Sequence, residues 1–138
     1  MVVLAWLTSA RLQAEAPPPQ GLSLPATVLR NYDGDTVTVE VKLVVNVRLT
    51  GSGKYRQCWA PELIEPGGKE SKINLEKASK GKHGTLLVPI GDASNLSQMF
   101  TLGRVLGDFW VDDTNESLSE HQIRTGHASS KKGGKLGE

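Results

Sequence analysis

Two carboxylates stand one residue apart in Tyr32-Asp33-Gly34-Asp35-Thr36, where the Asp-Gly pair favours a tight turn between two strands. Arg48 lies on the run Val45-Asn46-Val47-Arg48-Leu49, Glu62 closes Ala60-Pro61-Glu62, and Arg104 follows Gly103. Together these types match the demands of phosphodiester hydrolysis. The substrate is an anion that repels hydroxide, so its charge must be neutralised, a water placed in line, and the developing charge stabilised. Carboxylate oxygens are hard ligands for a divalent cation. Arginine forks fit phosphate oxygens, and a further acid can orient or deprotonate the water.

Each motif alone has an ordinary reading. Asp-Gly is commonly only a turn, a strand arginine commonly pairs with a charge on its neighbour, and Ala-Pro-Glu or Gly-Arg can be plain loop. What points to chemistry is all four in one order on one small chain. His83, His121 and His127 have no metal-ligand spacing, and Cys58 is the only cysteine, so neither a zinc cluster nor an internal disulfide is expected.

The elements that must position these groups are mostly strands. Leu24 to Arg30 leads into the Asp-Gly turn, and Thr36 to Val41 then alternates, with Val37, Val39 and Val41 on one face. Val45, Val47 and Leu49 do the same on the next strand and leave Asn46, Arg48 and Thr50 opposite, which makes Asp35 and Arg48 near neighbours. Lys69 to Lys80 reads as a weakly amphipathic helix stopped at Gly81. Thr85 to Ile90 and Val105 to Val111 read as strands, with Phe109 and Trp110 on opposite faces. Ser117-Leu118-Ser119-Glu120 fits a capping box opening a short helix that ends at Gly126.

The chain has 138 residues, enough for one core, and its 38% hydrophobic and 22% charged content is that of a globular protein. Sixteen basic residues against fifteen acidic ones leave no global field to steer nucleic acid, so any such site must be local. Residues 1–21 read as a flexible arm with the Pro17-Pro18-Pro19 linker, residues 22–128 as the domain, and residues 129–138 as a disordered Lys/Gly-rich tail. Ala14-Glu15-Ala16 has the form of an export cleavage site, but no Lys or Arg precedes the apolar run Met1 to Ala10. No transmembrane span is expected.

Ala26-Thr27-Val28-Leu29-Arg30 running into Asp33-Gly34-Asp35-Thr36, then Val47-Arg48-Leu49, Ala60-Pro61-Glu62 and Gly103-Arg104, resembles the staphylococcal nuclease (thermonuclease) family in order and context. The resemblance spans roughly Leu24 to Ala128 and implies an α+β, mainly β fold: a five-stranded Greek-key barrel of the OB type with two short helices. It implies a metal-dependent endonuclease that cleaves single-stranded or loosened DNA or RNA without base specificity, leaving a 3'-phosphate, and acting as a monomer. Asp35, Asp33 and the Ala60 carbonyl would hold Ca2+. Arg48 and Arg104 would grip the phosphate, and Glu62 would act on the water.

The chain departs from that pattern in three places. Trp59 stands where the family usually has a metal-binding Asp, the spacing from Arg48 to Glu62 is lengthened by Ser52 to Cys58, and Thr101-Leu102 replaces a Lys-Tyr pair. Glu65 is a nearby acid that could stand in for the missing ligand. Two function classes follow: the nuclease, and a nuclease-like module that binds nucleic acid or a protein partner without cutting.

Overall fold

The computed structural model describes residues 21–51, 57–89, 100–101 and 104–138. The apolar segment and proline linker within residues 1–20, residues 52–56 of the Ser52 to Cys58 insertion, Ile90 at the end of the expected Thr85 to Ile90 strand, and Leu102-Gly103 lie outside the described residues. Among the described residues eight elements run in chain order: β1 (Leu22–Asn31), β2 (Thr36–Glu40), β3 (Val44–Leu49), α1 (Gly68–Ser79), β4 (His83–Val88), β5 (Phe100–Thr101), β6 (Arg104–Val111) and α2 (Leu118–Arg124). The fold is mixed α/β and mainly β, with five longer strands, the two-residue β5 and two helices. The sheet order is β3-β2-β1-β4-β6-β5, and β3 also pairs with β6, in parallel. Among the described residues no helix is long and apolar enough to cross a membrane.

Alternation makes the core. Val37 and Val39 of β2, Val47 and Leu49 of β3, and Val28 of β1 are fully buried, and Phe109, Leu75 and Ile123 join them from β6, α1 and α2. Trp110, on the other face from Phe109, is half-buried, and its indole N–H donates to the Thr114 carbonyl at 2.9 Å. β1 breaks the simple alternation. Its register against β2 shifts between Val28 and Arg30, so Arg30 turns outward and Asn31 inward.

α1 is weakly amphipathic for a visible reason: its buried face is Gly68, Ser71, Leu75 and Ser79, mostly small residues that allow close approach. The buried hydroxyls are satisfied, Ser71 donating to the His127 carbonyl and Ser79 to that of Leu75. α2 opens with the capping box expected from sequence, and Gly126 follows it at φ 82°. Under α2, the Ser119 hydroxyl and backbone N–H both donate to the fully buried Asp108 carboxylate.

Residues 129–138, expected from composition to be a disordered tail, carry backbone bonds to the domain. Trp59 and Ser129 exchange two backbone bonds of 2.8 Å, and Gly137 donates to the Ala128 carbonyl at 2.9 Å. Trp59 lies far from Ser129 in sequence, so local composition does not reveal that pairing.

Gly34 shows the difference between turn propensity and packing. It is absent from the positive-φ glycines, so the turn does not need it for a left-handed conformation. A Cβ there would collide with Ser71 Oγ and sit 2.7 Å from Ala60 Cβ. Gly34→Ala is therefore expected to destabilise the protein by roughly 1–3 kcal/mol through overpacking. Urea unfolding checks this, and a wild-type midpoint would show that the turn yields freely.

Candidate active site

The turn between β1 and β2 is held from several sides. Asp33 Oδ1 accepts from the Asp35 N–H at 3.1 Å, and the Tyr32 N–H donates to the Thr36 carbonyl at 2.9 Å. Behind it, Gln122 of α2 donates to the Gly34 carbonyl at 2.8 Å and to the Ser71 carbonyl at 3.1 Å, so both helices fix where the carboxylates stand. Asp33 and Asp35 are both buried.

Asp35 Oδ2 accepts the Ala60 N–H at 2.9 Å and lies 3.6 Å from Arg48 Nη2. The cross-strand neighbourhood expected from alternation is thus present, because Thr36 and Arg48 face each other across β2 and β3. Burial, and then the charge of Asp33, push the Asp35 carboxyl up from 3.8 to about 6, against the opposing pull of the Ala60 N–H and Arg48. Burial is the largest of these influences.

Asp33, Asp35, Arg48, Glu62 and Arg104 all line one cleft of about 860 Å³. Arg104 reaches toward Thr36, with Nη1 at 3.4 Å from the hydroxyl. Glu62 is exposed at the rim, in a tight turn where its N–H donates to Glu65 Oε1 at 2.8 Å and its carbonyl accepts the Glu65 N–H at 2.9 Å. Glu65, the candidate substitute ligand, is thereby occupied in capping the Glu62 backbone.

Trp59 does something that the linear sequence did not reveal. The Arg48 guanidinium lies 4.1 Å from its ring centroid, and Lys132 Nζ lies 5.3 Å from the same ring. The indole supplies a platform for the arginine. Arg48 also donates a long bond of 3.5 Å to the Cys58 carbonyl. Lys132 was missed at the sequence level because it sits in the segment read as tail, yet it lines the cleft with Gly133, Gly134 and Leu136. The Trp59–Ser129 backbone pairing brings it there.

The remaining candidates fall elsewhere. His83 bonds Thr27, His121 faces Glu116, and His127 faces Thr125, at separate points of the surface. Cys58 is buried and its thiol is pushed well up, first by that burial, so it is no ready nucleophile. Among the described residues no group of three or more His, Cys, Asp or Glu gathers as a metal cage. Asp33 and Asp35 are the buried carboxylates of the cleft whose oxygens could hold a hard cation. Compared with models of known protein families the chain matches none, and no curated protein matches it.

Proposed function

We propose that the protein is a metal-dependent phosphodiesterase that cleaves single-stranded DNA or RNA without strong sequence specificity. The single observation that carries this reading is the lining of one cleft by Asp35, Arg48, Glu62 and Arg104, residues drawn from four separate parts of the chain. The likeness in motif order to the thermonuclease family supports it. We read the sheet as a five-stranded Greek-key barrel of the OB type, a reading supported by the parallel β3–β6 pairing that links its flanks.

In this reading Arg48 and Arg104 neutralise the phosphate oxygens, and the Trp59 face keeps the Arg48 fork turned into the cleft. Glu62, at the rim, takes a proton from water. Asp35 and Asp33, with the Ala60 carbonyl, are the groups that would hold Ca2+, the two carboxylates forming a negative pocket that a cation relieves. A bound cation would supply Lewis-acid stabilisation of charge on the phosphoryl oxygens.

Purified protein is expected to shorten heat-denatured DNA with Ca2+ and to stop when a chelator is added. Arg48→Lys is expected to slow cutting roughly tenfold to a hundredfold, since an ammonium keeps the charge but loses the planar fork. A second reading, a module that binds without cutting, is favoured by one observation, the indole of Trp59 in the place of a ligand acid. Retention of the DNA with no shortening under any metal condition would establish that alternative.

A further inference from the structure

Next to the cleft lies a second groove of about 570 Å³, lined by Arg30, Lys72 and Arg104 and, among the described residues, by no carboxylate. We propose that this groove binds the phosphate backbone of the single strand on one side of the scissile phosphate, extending the cleft into a track for several nucleotides. The proposal rests on the phosphodiesterase reading for its polarity and substrate class.

Four observations carry it. Tyr32 and Arg104 line both hollows, so the two are continuous at those side chains. Among the described residues neither Arg30 nor Lys72 has a carboxylate within ion-pair distance, so their charges are left for a partner from outside. Sixteen basic residues against fifteen acidic ones make such a segregated patch a local arrangement rather than the overflow of a basic protein. Finally, Arg30 reaches the groove only because of the register shift in β1. Plain alternation after Ala26 and Val28 would have turned residue 30 into the core.

The groove also has the second component of a single-strand site, an aromatic platform. Tyr32 is 64% exposed where the two hollows meet, its ring available for a base to stack on. Across the floor, the Thr38 hydroxyl donates to Asn46 Oδ1 at 2.7 Å, which keeps the Asn46 amide side chain oriented with its N–H donors remaining. A polyanion fits this surface by charge, by stacking and by continuity with the cleft. An acidic protein segment would use the cations but not the exposed ring.

The test uses the full chain in chelator, so that nothing is cut, and measures anisotropy of labelled oligothymidylates of two and twelve nucleotides across a salt series. Arg30→Gln with Lys72→Gln is expected to weaken the twelve-nucleotide strand on the order of tenfold and to flatten its log–log salt slope by about 1.4, two phosphate contacts on single-stranded DNA. The loss for the dinucleotide is expected to be smaller. The charge-conserving pair Arg30→Lys with Lys72→Arg is expected to keep most of the slope, which separates charge from disturbed folding. Wild-type affinity and slope in the glutamine pair would overturn the groove. So would a wild-type protein that binds no twelve-nucleotide strand. If the glutamine pair loses affinity while Arg48→Gln changes neither length, the groove stands and the neighbouring cleft loses its assigned role.

Discussion

Glu62→Gln is expected to lower the rate of cleavage of heat-denatured DNA by roughly 10²–10⁴-fold, the usual contribution of a positioned general base. Glutamine keeps the size and the rim position but cannot accept the proton. The turn should survive, because it is the Glu62 backbone, not its carboxylate, that Glu65 holds. The loss should therefore fall mainly on kcat, with a much smaller change in KM. Single-turnover kinetics at saturating DNA measure this directly. Full activity would mean that another group handles the water and that Glu62 is merely a solvated rim residue.

Asp35→Asn should separate stability from activity in opposite directions. The carboxyl is pushed from 3.8 to about 6 by burial and by Asp33, so the folded state holds its proton more tightly than the unfolded chain does. A raised group of this kind contributes stability that is full below pH 3.8 and is lost as pH rises through 6. At 1.36 kcal/mol per pKa unit, the ionised carboxylate costs roughly 3 kcal/mol at pH 7.5 in the metal-free protein. Asparagine removes that charge while keeping an oxygen for the Ala60 N–H, so the variant is expected to gain on the order of 1–3 kcal/mol at pH 7.5 and little at pH 3.5. Thermal melts across pH check the trend. In wild type, Ca2+ should raise Tm at pH 7.5, and in Asp35→Asn that rise should vanish together with cleavage. A variant less stable than wild type at neutral pH would show that the Arg48 and Ala60 interactions outweigh the burial of the charge.

Much of the scaffold was legible from residue order. The valines of β2 and β3 alternate, Ser117 and Glu120 form their box, and the helix that precedes Gly81 runs to Ser79 within a residue of its expected end. These are patterns over two to four residues, which sterics and local hydrogen bonding decide. The helix α1 was harder to see because its packed seam is serine and glycine, residues that signal no apolar face. Asp35 beside Arg48 was foreseeable from the same alternation, whereas their common cleft with Glu62 and Arg104 joins segments far apart in the chain.

By itself, the order of residues determined most of the strands and the helix cap, since each follows from short-range geometry. Only the tertiary structure decided that Trp59 lies against Arg48, that Lys132 returns from the chain end into the cleft, that Gly34 is demanded by the helix behind it, and that a one-residue register shift turns Arg30 outward. Those outcomes depend on contacts between segments distant along the chain. Close packing and register, not local preference, select among such contacts.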